Sequence, residues 1–445
     1  MFRRKIYDDL KAWKDRKGGR YALMVEGARR VGKSTIVEEF VRNEYESYIL
    51  VKFERVGDEI RDLFQRMDDL DRFFLHLQQY AGVRLHERRS AIVFDEVQLF
   101  PLARQAIKVL VEDGRYDYYE TGSLISIKKN VRNILIPSEE DTIHMFPMDF
   151  EEFLWARGDT VTMPMVRRAF ETLEPLGRDM HDRIMEQYRT YMLVGGMPQA
   201  VQRLVDDNSF SSVEDAKASI LDLYMKDAVK LDGPHGVKAS AIFRSLASNL
   251  EKHDRTFSPG SVRKGTGIRD YRKAIDDLGE SMMVNLCHRV TEPAVDQASH
   301  YDEDDLKVYM CDTGLLFTQS FTTMRYDADG VYGSILRGDL NINQGMYFEN
   351  MVAQELRATG HGLYFSKFPH RDSDRLQEVD FVIVRRREPV PVEVKSGQKS
   401  KAHKSLDRFM DKYGDVTGSP FVVHTKDLER VGGITYIPIY MASLL

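Results

Sequence analysis

Glycines, a lysine and a hydroxyl at fixed spacing occur in the stretch GARRVGKST, Gly27–Thr35. It satisfies the pattern G-x-x-x-x-G-K-[ST] with Gly27, Gly32, Lys33 and Ser34 in the required places, and Thr35 follows. Gly27 and Gly32 let the backbone turn sharply and aim successive N–H groups at phosphate oxygens. Lys33 reaches the β- and γ-phosphates, and the Ser34 hydroxyl is a Mg²⁺ ligand. The stretch therefore predicts a site for ATP or a similar nucleoside triphosphate. Farther on, Ala91-Ile-Val-Phe-Asp-Glu96 is an apolar run ending in two acids. A buried strand of that kind delivers its carboxylates to the C-terminal edge of a parallel sheet, where such sheets bind ligands. Asp95 is placed to hold Mg²⁺ through water, and Glu96 to polarise the attacking water.

The elements around these residues alternate. Tyr21–Val25 and Tyr48–Phe53 read as strands, and Ile36, Val37, Phe40 and Val41 share one helical face. Tyr116–Thr121 and residues 142–147 supply further strands, while residues 59–88 have a helical rhythm. This order predicts a parallel sheet covered on both sides. Thr121, at the end of its strand, is the polar residue expected near the γ-phosphate, with Ser123 second. Tyr7, Leu10 and Trp13 recur at helical spacing and predict a short leading helix on the nucleotide domain.

The last part of the chain holds a second constellation. Gln377–Val384 reads as one strand and Val390–Lys395 as another. A strand period of two puts Glu393 and Lys395 on one face. Asp380 on the neighbouring strand completes a carboxylate pair for a second Mg²⁺, and Glu349 on the helical stretch Tyr347–Ala353 adds a further polar group. Arg385–Arg387, Lys395, Lys399, Lys401 and Lys404 suit either a phosphate backbone or a solvated edge.

GARRVGKST, FDEVQLFP (94–101), YETGSLISIKKNVR (119–132), FPMDFEEFLWARG (146–158) and YMLVGGMPQAV (191–201) follow one another in an order that resembles a widespread prokaryotic group of AAA+-like ATPases with an uncharacterised C-terminal domain. The resemblance implies an α/β P-loop NTPase core over residues 1–165, a helical lid over 166–232, a winged-helix module over 233–320 and a nuclease-like α/β domain over 321–445. It also implies that Arg132 is a candidate trans-acting arginine in a homo-oligomer; a plain surface arginine is the alternative. The Asp380, Glu393-x-Lys395 arrangement resembles the PD-(D/E)XK nuclease signature, with Val379 where the named proline would stand. DNA as a partner is supported by Arg263, Lys264, Arg269, Arg272 and Lys273 on or just before a recognition-type helix expected over Ile268–Leu278. Asp270, Asp276 and Asp277 dilute that charge, so a protein-binding module stands beside it.

Composition bounds these readings. A chain of 445 residues with 42% hydrophobic and 30% charged content is that of a globular protein of several domains. A net charge of −6 lends nucleic-acid binding no support. Cys287 and Cys311 lie in apolar segments and make no disulfide framework, which suits a reducing cytoplasm. The first residues are basic but carry Asp8, Asp9 and Asp15 and are not a signal peptide, and no apolar run is long enough to predict a membrane span. Two functions follow: an ATPase acting on DNA, with cleavage by the last domain left open, or an ATP-dependent switch for protein partners with an inert nuclease-like domain.

Overall fold

The computed structural model describes the chain except for residues 123–137, 231–233, 253, 322–327, 338–343, 371–372 and 398–402. Ser123, Arg132, Lys399 and Lys401 lie outside the described residues. The chain divides into a unit made of Met1–Phe146 with Glu280–Met282, and a second made of Pro147–Gly279 with Met283–Leu445. The cut expected at 165 therefore falls inside the second unit.

In the first unit, strands β1 (Ala22–Gly27), β2 (Ser47–Lys52), β3 (Ser90–Asp95), β4 (Asp117–Gly122) and β5 (Glu140–Met145) form one sheet in the order β2-β3-β4-β1-β5. Every pairing in it is parallel. Central strands β1, β3 and β4 are buried along their whole length, whereas the edge strands β2 and β5 keep partly exposed residues. That is why β1 and β3 read as largely apolar runs, while β4 buries Asp117, Glu120 and Thr121 as well. Helices Leu70–Ala81 and Pro101–Asp113 bury Phe73, Phe74, Leu77, Ile107 and Leu110 against Ile49, Ile92 and Phe94. The leading helix, Ile6–Lys17, buries Ile6, Leu10 and Trp13, and the Trp13 indole donates to Asp141 at 2.9 Å. Tyr7, expected on that buried face, is only half-buried and donates its hydroxyl to Glu44 at 2.9 Å.

The second unit opens with helices Phe150–Ala156, Thr162–Thr172, Arg178–Val194, Pro198–Asp207 and Phe210–Val229. Helices Pro234–Arg244 and Leu246–Leu250 follow, meeting at Ser245. After helix Arg272–Glu280 come β6 (Val284–Val290) and β7 (Tyr301–Met310), an antiparallel pair. This hairpin does not close on itself. β6 also pairs in parallel with β8 (Tyr364–His370), which pairs with β9 (Ser373–Val379), so one sheet, β7-β6-β8-β9, runs across the boundary expected at 320. The remaining strands, β10 (Phe381–Arg385), β11 (Glu388–Val394), β12 (Phe421–His424), β13 (Glu429–Val431) and β14 (Ile434–Pro438), make a second sheet in the order β10-β11-β12-β14-β13.

The segment 377–384, read from sequence as a single strand, is thus two strands in different sheets, joined at Asp380. Asp380 accepts the backbone N–H of Val394 at 2.7 Å, which ties the joint to the end of β11. A strand period cannot reveal such a break, because both halves are strands and the pattern does not say which sheet each one joins.

Candidate functional site

The glycine loop lies between β1 and the helix Lys33–Glu44. Gly27 ends β1 where a Cβ would stand 2.4 Å from the Met145 carbonyl oxygen of the neighbouring strand. Gly32 caps the helix at φ 101°, a conformation that side chains rarely adopt. Lys33 is buried, and its Nζ donates to the carbonyls of Gly27 and Ala28, each at 3.0 Å. Burial lowers its pKa to about 8, against the opposing pull of Glu96 and Asp95. A desolvated ammonium resting on loop carbonyls is a cation without a bonded carboxylate, positioned for an anionic ligand. Ser34 is half-buried and Thr35 exposed at the start of the same helix, whose amino end favours negative charge.

One residue the sequence did not flag secures this loop from below. Arg4 is buried, and its Nη1 donates to the Val31 carbonyl at 2.9 Å while Nη2 donates to the Phe146 carbonyl at 2.8 Å. The pair Arg3-Arg4 shows no periodicity that marks it as structural.

β3 delivers Asp95 and Glu96 beside the loop. Asp95 is buried; the Thr121 hydroxyl donates to its Oδ1 at 2.6 Å and accepts the Glu96 backbone N–H at 3.2 Å. Thr121 thus links the end of β4 to both acids, and the threonine chosen from sequence is in contact with the pair. Glu96 itself takes a left-handed backbone turn, φ 57°. The oxygens of Ser34 and Asp95 are hard donors of the kind Mg²⁺ prefers, so the residues present fit that ion. Glu26, just before the loop, is buried and its pKa is raised by desolvation.

In the second unit, β10 and β11 pair with Phe381 opposite Val392, so Asp380 and Glu393 stand one step beyond that pair. Glu393 is buried, and Lys395, just past β11, donates to its Oε1 at 2.6 Å, which puts the two on one face as strand spacing requires. Asp380 has its pKa pushed well above the carboxylate range by desolvation and by Glu393 and Glu349. Desolvation also raises Glu393, against the pull of Lys395. Glu349, on helix Gln344–Ala358, is closed in by groups the sequence did not suggest. Lys307 of β7 donates to its Oε1 at 2.9 Å, Tyr309 bonds the same oxygen, and Arg255 bonds Oε2. Those two cations hold the Glu349 pKa below the ordinary range although burial opposes them. Lys307 also bonds Glu378 at 2.5 Å. Among the described residues no group of three or more His, Cys, Asp or Glu is placed to hold a metal ion.

The other cations expected at a phosphate backbone are partly spent within the unit. Arg272 pairs with Asp304 at 2.5 Å and Lys273 with Asp277 at 2.9 Å, while Arg263, Lys264 and Arg269 are exposed. Arg385 lies over the stacked rings of Phe170 and Phe421, at 5.2 and 5.4 Å from their centres.

Parallel order β2-β3-β4-β1-β5, with a glycine loop after β1 and paired acids after β3, defines a P-loop NTPase fold. Residues 19–154 match the family described as AAA domain. Residues 185–324 match a domain of unknown function (DUF8612) and residues 344–441 another (DUF4143). Among solved structures, a Walker-type ATPase of Pyrococcus abyssi is similar at 14% identity and a TM-score of 0.41, over 72% of this chain and 96% of that one. The RuvB Holliday junction branch migration motor of Thermotoga maritima is similar at 11% identity and a TM-score of 0.28, over 65% and 90%. No curated protein matches the chain. No helix among the described residues is long and apolar enough to cross a membrane.

Proposed function

We propose that the chain binds ATP on the Gly27–Thr35 loop and hydrolyses it with Glu96 as the base that orients and deprotonates water. The observation that carries this reading is the joined set at the loop: Lys33 on two carbonyls, and Asp95 and the Glu96 backbone both bonded to Thr121. In this scheme Lys33 exchanges its carbonyl contacts for phosphate oxygens, Ser34 and Asp95 hold Mg²⁺, and Thr121 keeps the acid pair in register. Bound Mg²⁺ supplies charge neutralisation of the phosphates. The test is ATP turnover by the purified full chain, wild type against Glu96→Gln; equal rates would remove Glu96 from the role.

For the second unit we favour an ATP-dependent switch over a nuclease. The supporting observation is charge already neutralised from within: Glu349 by Lys307 and Arg255, and Glu393 by Lys395. The winged-helix and PD-(D/E)XK assignments of 233–320 and 321–445 belong to this proposal, supported by the order helix, turn, helix, hairpin and by Asp380 just before β10, beside Glu393 of β11. DNA binding is the second reading, favoured by exposed Arg263, Lys264 and Arg269. Turnover measured with and without duplex and single-stranded DNA, beside cleavage assays in Mg²⁺ or Mn²⁺, separates the two. Chelator-sensitive cleavage lost in Asp380→Ala would overturn the switch.

A further inference from the structure

The turn that carries Glu96 contains a group the hydrolysis scheme has not used. Beyond β3 the chain enters the short turn Val97–Leu99, closed by the Leu99 N–H donating to the Glu96 carbonyl at 2.9 Å. With Glu96 in a left-handed conformation, this curl folds residue 98 back over residue 96. The Gln98 side-chain Nε2 donates to Glu96 Oε2, and Gln98 is only 4% exposed while Glu96 keeps solvent contact. The residue is held by a turn on one side and by burial on the other, so its amide has little freedom to leave.

We infer that Gln98 is a positioning residue for hydrolysis: its amide grips one oxygen of the Glu96 carboxylate and so fixes the direction of the other toward the attacking water. The inference rests on Glu96 being the base. The chemistry suits an amide. A carboxylate on a rotatable side chain points its basic oxygen anywhere within a cone, and one hydrogen bond to a buried donor removes most of that freedom. A lysine or arginine in place of Gln98 would neutralise the carboxylate and weaken it as a base, whereas a neutral donor orients it and leaves it basic. In the step itself the water oxygen bonds the γ-phosphorus and the bond from phosphorus to the β,γ-bridging oxygen breaks. Its electron pair leaves with ADP, and the water proton passes to Glu96. Gln98 neither gains nor loses a proton.

The alternative is that Gln98 only stabilises the turn, and the experiment is chosen to tell the two apart. Steady-state and single-turnover ATP hydrolysis are measured on the full chain for wild type, Gln98→Met, Glu96→Gln and the double variant. Methionine keeps the length of the side chain without the donor. The expected result is a fall in kcat of about tenfold with KM within about twofold, the size of one lost hydrogen bond to a charged group. In the Glu96→Gln background the same substitution should cost almost nothing more, because both residues act through one carboxylate. Wild-type kcat in Gln98→Met, or a loss that multiplies in full with that of Glu96→Gln, overturns the inference. Should Gln98→Met fail to fold, Gln98→Glu preserves shape and polarity and places a second carboxylate against the first; its kcat must also fall at least tenfold, and wild-type turnover there is equally fatal. If Glu96→Gln itself turns over at the wild-type rate, it is the base assignment that fails, whatever Gln98 does.

Discussion

Each unit of the molecule brings a lysine next to a pair of carboxylates, and they use it in opposite ways. At the glycine loop, Lys33 rests on the carbonyls of Gly27 and Ala28, and Asp95 is engaged by the uncharged hydroxyl of Thr121. In the second unit, Lys395 is bonded directly to Glu393, and Lys307 and Arg255 to Glu349. Carbonyl contacts hold a lysine in place while leaving its charge available, so an incoming phosphate gains a strong partner without first breaking an ion pair. A buried lysine bonded to a carboxylate has spent its charge, and a ligand must pay for separating the pair. The same residue types therefore make a waiting site in one place and a closed one in the other.

The sharpest test of that contrast is Lys33→Ala. Removing charge-assisted contacts to two phosphates should weaken ATP binding on the order of a thousandfold, measured by calorimetry or a fluorescent analogue. A change below tenfold would mean that Lys33 is not waiting for phosphate. Glu96→Gln should leave ATP affinity nearly intact and lower turnover by about a hundredfold or more, since the amide cannot accept a proton. In the closed site, Lys307→Met should destabilise the second unit by about 3 kcal/mol, because it leaves buried Glu349 with Arg255 as its cation and Glu378 with the more distant Lys367 at 3.8 Å. Denaturant unfolding checks this, and an unchanged midpoint would show that the network is looser than its bonds suggest.

The smallest effect expected is on pH. Burial sets the Lys33 pKa near 8, below that of a free lysine, so the protonated form is complete below that value and is lost as pH rises through it. Phosphate pairs with the protonated form. ATP affinity should hold steady below pH 8 and fall above it by up to about tenfold per pH unit, with proton uptake on binding. An affinity flat to pH 10 would indicate that Lys33 keeps its charge without ligand.

Much of the first site could be read from the chain because its parts are consecutive. Gly27, Gly32, Lys33 and Ser34 sit in one loop, and Asp95 and Glu96 are adjacent, so the strand before each is enough to place them. Thr121 was legible as the polar end of a strand, and the bond to Asp95 follows from β3 and β4 being neighbours. Arg4 and Gln98 were not legible. Arg4 acts through backbone carbonyls, which carry no sequence signal, and Gln98 depends on a backbone turn at Glu96 that no residue type demands.

In the second unit the sequence by itself determined which side chains share a face of one strand: Glu393 and Lys395 follow from strand periodicity. Only the tertiary structure decided what those acids meet. Arg255, Lys307 and Glu378 come from segments far apart in the chain and converge because β6 and β7 pair into the sheet of β8 and β9. Periodicity reports the face a residue takes within its own strand; the partners on that face are set by strand pairing across the whole unit. That is the physical reason a motif of acids and a lysine could be found in the sequence while its state, open or neutralised, could not.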